Sequence, residues 1–209
     1  GVTNGNTHIS ANDKLSIPQN DKTRQQLKNQ NIDTDKAYVR DSEVCWLNDE
    51  WIYDLILPKL IQANSSSHWR YDIDVVESMQ FTIYKPGGFY GWHTDSGSDH
   101  LAKSKRLIHG LTDNNLQKES RYTKNKKLIG KIRKLSLTIN LNSPGEYEGG
   151  NLMFDYGHHT DEDRFYECKE IRPQGSMIVF PSYTYHCVTP VTKGTRYSLV
   201  LWANGEPFK

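Results

Sequence analysis

Hydrophobic and polar positions change rhythm near residue 69. Before it, Trp51, Ile52, Leu55, Ile56, Leu60 and Ile61 recur at the spacing of one helix face. Asn48 stands where it can cap that helix, and Asp49 and Glu50 suit its positive end. Pro58 is expected to kink the helix or end it early. From residue 69 the period falls to two. "WRYDIDVV" alternates Trp69, Tyr71, Ile73 and Val75. "SMQFTIY" sets Met79, Phe81 and Ile83 against Gln80, Thr82 and Tyr84. "KLSLTINLN" sets Leu135, Leu137, Ile139 and Leu141 against Ser136, Thr138 and Asn140. "GNLMFDY", "SMIVF", "YTYHCVT" and "TRYSLVLWA" continue the series, with turns at "KPGG", "NSPGEYEGG", "RPQG" and "TKG". Many short strands after a helix predict a mainly β architecture, a sandwich or a barrel.

Three stretches fall outside that rhythm. Residues 1–36 are rich in Asn, Gln, Asp, Ser and Thr and read as a polar N-terminal arm, leaving 37–209 as one domain. Residues 101–134 are strongly basic, holding among others Lys103, Lys105, Arg106, Lys131, Arg133 and Lys134. Two readings of that segment stand: a solvated surface insertion, or a lid or docking arm for an acidic or nucleic-acid partner. "DYGHHTDEDRFYE" is acidic and carries His158 and His159, which as neighbours on a strand would face opposite ways and read as a surface loop.

Composition narrows the function classes. The net charge of +1 argues against a surface built throughout for nucleic acid. Five Trp and twelve Tyr supply large surfaces to bury, so the chain of 209 residues can build a core. Cys45, Cys168 and Cys187 are odd in number and widely spaced, which excludes a zinc ribbon and disfavours a disulfide scaffold. Reduced thiols, no apolar run near the ~20 residues needed to span a bilayer and no leader pattern give a cytoplasmic expectation and no membrane partner.

The chemistry centres on "FYGWHTDSGSDH". His93 and Asp95 lie two apart, so on an extended segment both reach the same side. Alone, the pair also fits an ordinary polar turn. His186, in the strand-like "YTYHCVT", offers a third ligand. Two imidazoles and one carboxylate on one face of an octahedral ion form the arrangement of non-haem Fe(II) oxygenases. The three positions left over accept a bidentate 2-oxo acid and dioxygen. Arg196 follows on the next strand, on one face with Ser198, Val200 and Trp202. A buried guanidinium there needs an anion, and its planar fork suits a carboxylate. Either an acidic side chain of the protein or the far carboxylate of 2-oxoglutarate would serve.

"YKPGGFYGWHTD", "KLSLTINLNSPGEYEGGNLMF" and "GSMIVFPSYTYHCVTPVTKGTRYSLVLW", in that order, resemble the Fe(II)/2-oxoglutarate-dependent dioxygenases, in particular the prolyl-4-hydroxylase branch with its PKHD-type hydroxylases. The likeness covers roughly residues 70–203. It implies a double-stranded β-helix, a distorted jelly roll with supporting N-terminal helices. It implies that His93, Asp95 and His186 hold Fe(II) and that Arg196 binds the distal carboxylate of 2-oxoglutarate, where collagen-type members often have Lys. Tyr84 matches a tyrosine that hydrogen-bonds the co-substrate, and Trp202 a tryptophan near the metal. Asn140 stands where several relatives place a Tyr against 2-oxoglutarate; an amide can also donate to a carboxylate. Gln80, on Tyr84's face, is a further co-substrate candidate, and Tyr90 a candidate for the substrate wall. For Tyr84, Tyr90 and Trp202 plain aromatic packing is the alternative.

The resemblance further implies co-substrates 2-oxoglutarate and O2, release of succinate and CO2, ascorbate as a possible reductant, and hydroxylation of a C–H bond, with a prolyl residue of a peptide or protein as the favoured substrate. Two rivals remain. A nucleic-acid demethylase of the same superfamily would hold phosphates with 101–134. A non-catalytic β-barrel binder would leave the metal structural or absent.

Overall fold

The computed structural model describes residues 3–4, 40–96, 127–128, 130–143, 145–157 and 164–208. The arm expected over 1–36 (apart from residues 3–4), His158, His159 and the basic stretch up to residue 126 lie outside them.

The strands are β1 (Thr3–Asn4), β2 (Arg40–Asp41), β3 (Glu43–Leu47), β4 (Val75–Val76), β5 (Met79–Tyr84), β6 (Phe89–His93) and β7 (Ile132–Asn140). They continue with β8 (Tyr147–Gly149), β9 (Leu152–Asp155), β10 (Phe165–Glu167), β11 (Met177–Pro181), β12 (Tyr185–Val188), β13 (Val191–Gly194) and β14 (Arg196–Gly205). Helix α1 spans Glu50–Ser66. A major sheet runs β1-β3-β5-β14-β7-β11, with β4 also on β14. A minor sheet runs β10-β9-β12-β6-β2, and β13 pairs with β8. Every pairing is antiparallel.

The period-two pattern gives the major sheet two unlike faces. Met79, Leu135, Leu137, Ile139, Leu199, Leu201 and Ala203 form one, and α1 covers it with Ile56 and Leu60. Complete burial of each Leu or Ile is worth about 1.5–3 kcal/mol. The other face presents Gln80, Thr82, Tyr84, Ser136, Thr138, Asn140, Arg196, Ser198 and Trp202, and all of these are buried too. The minor sheet covers them. Arg40 of β2 donates to Gln80 Oε1 at 3.3 Å and Thr82 Oγ1 at 3.4 Å, and Phe180 of β11 meets His186 of β12 with ring centroids 4.8 Å apart. A polar wall thus lies between two sheets, and its side chains bond each other: Ser136 Oγ to Ser182 Oγ at 2.9 Å, and Gln80 Nε2 to Thr82 Oγ1 at 3.0 Å.

Four local expectations change. α1 does not end at Pro58 but continues to Ser66, because burial of Ile56 and Leu60 outweighs one missing backbone bond, and the carbonyl that Pro58 leaves free is on exposed Asp54. Asp49, not Asn48, is the N-cap residue, with no side-chain cap bond; Asn48 Oδ1 instead accepts from Ser78 Oγ at 2.7 Å. The buried stripe of α1 is narrow, leaving Trp51, Leu55 and Ile61 exposed at 67%, 64% and 62%. "WRYDIDVV" contributes only Val75 and Val76 to a strand. Asn64 takes up the backbone of Tyr71 instead, donating to its carbonyl at 2.9 Å and accepting from its N–H at 3.0 Å.

The end of the basic segment also differs from a solvated loop. β7 begins at Ile132, and Lys134 is buried, its Nζ 4.7 Å from the centre of the Phe208 ring. Lys131 pairs with Asp74 and Glu206.

Leu60→Ala should lower the free energy of unfolding by about 2–5 kcal/mol, and Leu55→Ala should change it by less than about 0.5 kcal/mol. Denaturant titration of the two variants checks this; equal losses would contradict the narrow stripe.

Candidate active site

β6 and β12 are neighbours in the minor sheet, and their register puts His93 directly opposite His186. The imidazole centroids are 4.2 Å apart. Just past the end of β6 the chain turns, and the N–H groups of Asp95 and Ser96 both donate to the Ser182 carbonyl at 2.9 Å. That anchor turns the Asp95 carboxylate back between the rings, with Oδ1 3.5 Å from His93 Nε2 and Oδ2 3.6 Å from His186 Nε2. Among the described residues these three form a group whose ligand atoms all lie within 4.8 Å of one another.

The tautomers follow from the backbone. His93 Nδ1 lies 2.7 Å from the Gly91 carbonyl, and His186 Nδ1 lies 2.9 Å from the Thr184 carbonyl. A carbonyl only accepts, so each Nδ1 carries the proton and each Nε2 turns a lone pair to the shared point. Burial alone would raise the Asp95 carboxyl, but His186, His93 and Arg133 together hold it well below the carboxylate range. Burial, and then the charge of His93, push His186 down to about 4. A carboxylate and a neutral imidazole at neutral pH are the states that bind a divalent cation.

Tyr90 stacks on the His93 ring, centroids 3.6 Å apart, and burial pushes its hydroxyl up to about 12. Arg40 covers Tyr90's ring with its Cζ 4.9 Å from the centroid. On the facing wall, Arg196 of β14 sits opposite Tyr84 of β5, its Cζ 5.3 Å from the Tyr84 ring centre. Arg196 is only 2% exposed. Its Nη1 donates to Ser198 Oγ at 3.2 Å, Nε has no partner, and no carboxylate among the described residues pairs with it. Of the two anions the sequence left open, an acidic side chain of the described protein is therefore excluded.

Gln80 stands on the same wall, bonded to Thr82 and Arg40. Trp202 stands at its other end, with the Arg133 guanidinium 4.0 Å from its ring centre and its own Nε1 unpartnered. Asn140 reaches the wall opposite Ser198, but its amide donates to the carbonyls of Asn142 at 3.2 Å and Arg172 at 2.7 Å. It has no N–H left for a co-substrate, contrary to the expected role. One acceptor lies in the loop after β7 and the other, Arg172, in the loop before β11, so the amide ties two loops together.

Three contributors escaped the sequence reading. Arg133 binds Glu77 through two parallel bonds, Nε to Oε1 at 2.6 Å and Nη2 to Oε2 at 2.7 Å, and its Nη1 lies 3.5 Å from the Asp95 carbonyl. Its place in a basic run hid it. Arg40 lies upstream of the recognisable motifs. Ser182 was the turn residue beside "FP", with nothing in its type to mark it.

Comparison with known proteins follows the same segment. The family model described as 2OG-Fe(II) oxygenase superfamily matches residues 79–204. A PKHD-type hydroxylase of Stenotrophomonas maltophilia is 31% identical over 126 residues, 59% of this chain and 41% of the relative. One from Picosynechococcus is 29% identical over 142 residues, 68% of this chain and 48% of the relative. The chain thus spans less than half the length of these relatives. Among solved structures, a Pseudomonas putida prolyl-4-hydroxylase superposes with a TM-score of 0.53 at 16% identity, covering 89% of this chain and 85% of that one. A viral collagen prolyl hydroxylase from Paramecium Bursaria Chlorella virus-1, in complex with 2OG, gives 0.51 at 20% identity, covering 80% of each chain. At these identities the likeness shows the fold, the distorted jelly roll of two facing sheets. Because the matched segment takes in both histidines, the aspartate between them and the lone guanidinium, the chain belongs to the 2OG-Fe(II) oxygenase superfamily.

Proposed function

We propose that this protein is an Fe(II)- and 2-oxoglutarate-dependent dioxygenase that hydroxylates a C–H bond, with a prolyl residue of a peptide or protein as the favoured substrate. The observation that carries this reading is Arg196, a buried guanidinium with no anion among the described residues, on the wall that faces a buried two-histidine, one-carboxylate group. The substrate class rests on the names of the similar proteins.

In this reading His93, Asp95 and His186 hold Fe(II) through two Nε2 lone pairs and a carboxylate. Bound iron supplies the redox chemistry by which O2 and 2-oxoglutarate yield succinate, CO2 and a hydroxylated substrate. The protein's own part is placement. Gly91 and Thr184 lock the imidazole tautomers, Ser182 holds the Asp95 turn, and the Arg133–Glu77 pair braces the carbonyl of Asp95. Arg196 and Tyr84 take the distal carboxylate of the co-substrate, fixing its length and direction. Tyr90 and Trp202 wall the substrate side and keep water from the reacting C–H bond.

Incubation with Fe(II), 2-oxoglutarate and a panel of proline-containing peptides should release succinate and add one oxygen to a peptide. Succinate formation with no oxygenated product from any pool, nucleic acids included, would leave the hydroxylase reading without support. His186→Ala and Asp95→Ala should each lower turnover by more than about 100-fold, and full turnover in either would overturn the ligand assignment.

Arg196→Leu should weaken 2-oxoglutarate binding by about 30-fold or more, since a buried, hydrogen-bonded charge pair is lost. The same change removes a buried unpaired charge from the ligand-free protein, whose melting temperature should stay level or rise. Calorimetric titration and a melting curve check the two halves.

His186 titrates at about 4 in the fold against 6.5 when unperturbed. Between those values the unfolded chain binds a proton that the folded chain refuses. The metal-free protein should therefore lose stability as pH falls from about 6.5 to about 4. A melting temperature that is flat across that window in wild type, or that falls as steeply in His186→Leu, would count against it.

A further inference from the structure

A second polar group at the foot of the wall shares Arg196's condition. The Tyr147 hydroxyl is buried and has no hydrogen-bond partner among the described residues, and the whole residue is 7% exposed. The two orphaned side chains arrive at one place. Gly150 has φ +57°, and a Cβ added there would lie 2.9 Å from Arg196 Cδ, 3.0 Å from Val191 Cγ2 and 3.4 Å from Tyr147 Cε2. Only glycine both adopts that backbone without strain and leaves the gap bordered by the Tyr147 ring and the aliphatic stem of Arg196. Val191 in turn packs with Tyr84, whose ring lies beside the Arg196 guanidinium.

The Tyr147 ring is fixed although its hydroxyl is free. The Arg172 guanidinium lies 4.7 Å from the ring centre and is tied to the Gly149 carbonyl at 2.8 Å and to Asn151 Oδ1. The Arg172 carbonyl is the one that accepts from Asn140. The loop that takes Asn140 out of use as a donor therefore also positions a phenol close to Arg196. A carboxylate has about four lone-pair sites, more than one guanidinium edge and Tyr84 fill.

We propose that Tyr147 is a further co-substrate-binding residue, its hydroxyl donating to the distal carboxylate of the 2-oxo diacid beside Arg196. This rests on the co-substrate reading above. It makes Tyr147 a specificity residue, because a buried donor built for a carboxylate is left unpaired by a 2-oxo acid that lacks one.

The test is calorimetric titration of the full chain, loaded anaerobically with Fe(II), with 2-oxoglutarate and with 2-oxopentanoate, which carries a methyl in place of the distal carboxylate. Tyr147→Phe should raise the Kd for 2-oxoglutarate about tenfold or more, the size expected for a hydrogen bond to a charged group. It should leave the Kd for 2-oxopentanoate unchanged and the melting temperature of the ligand-free protein no lower. A hydroxyl that merely faces the cavity bordered by Ser143, Arg172 and Pro173 predicts a 2-oxoglutarate Kd within twofold of wild type, and that result overturns the proposal. Wild type that does not prefer 2-oxoglutarate over 2-oxopentanoate would overturn the co-substrate reading itself, and this proposal with it. A crystal structure of the wild-type complex gives a second measurement, independent of any variant: a Tyr147 hydroxyl beyond about 3.5 Å from the distal carboxylate sinks the assignment.

Discussion

A cation enclosed between two β-sheets, with no anion beside it among the described residues, is the constraint on which the rest of this structure depends. Taking a guanidinium out of water costs several kcal/mol unless an opposite charge offsets it. Around Arg196 the described residues supply the Ser198 hydroxyl and the face of the Tyr84 ring. The fold tolerates the charge because β14 sits between β5 and β7, with β4 continuing the β5 edge, and has a full apolar face behind it. Stability is drawn from the helix side of the sheet, and the strained electrostatics are confined to the other side. That division leaves the inner wall free to serve an incoming anion.

The His93–Asp95–His186 group and Arg196 are on different sheets, so their spacing depends on how the sheets are held together. Strand pairing sets His93 against His186 within the minor sheet. Asp95 follows from a backbone bond to Ser182, and the Ser182 hydroxyl bonds Ser136 of the major sheet. Arg133, also on the major sheet, reaches the Asp95 carbonyl while gripping Glu77. A carboxylate caught between two imidazoles is thus braced from both layers. A short, stiff linkage of this kind is what a three-ligand centre needs if its open side is to face a molecule anchored on the opposite wall.

The departures from simple pattern have one source. Asn140, Arg133 and Lys134 look from their residue types like groups that seek water or ligand. Each is instead spent inside the protein: on loop carbonyls, on a buried carboxylate, and over the Phe208 ring. The reverse holds for Trp51, Leu55 and Ile61, which helical spacing assigns to a core but which the helix carries outward. Residue type states what a side chain can do, and the neighbours decide which of those options is used.

The sequence by itself determined β5, β7, β9, β11, β12 and β14, because alternation of polar and apolar residues is a local property of an extended backbone. It also determined the candidate chemistry: His93 and Asp95 are two apart, and His186 and Arg196 stand in motifs whose order is recognisable without coordinates. What it could not contain is which face of each strand meets water. In "SMQFTIY" and "KLSLTINLN" the alternation separates a polar half from an apolar one but does not show that Thr82, Ser136 and Asn140 are wholly buried. Only the packing of a second sheet over that half turned it into the wall of a site. The same packing decided that, among the described residues, neither Arg196 Nε nor the Tyr147 hydroxyl has a hydrogen-bond partner. Whether a polar group is satisfied depends on atoms distant along the chain, and those meet only in the folded state.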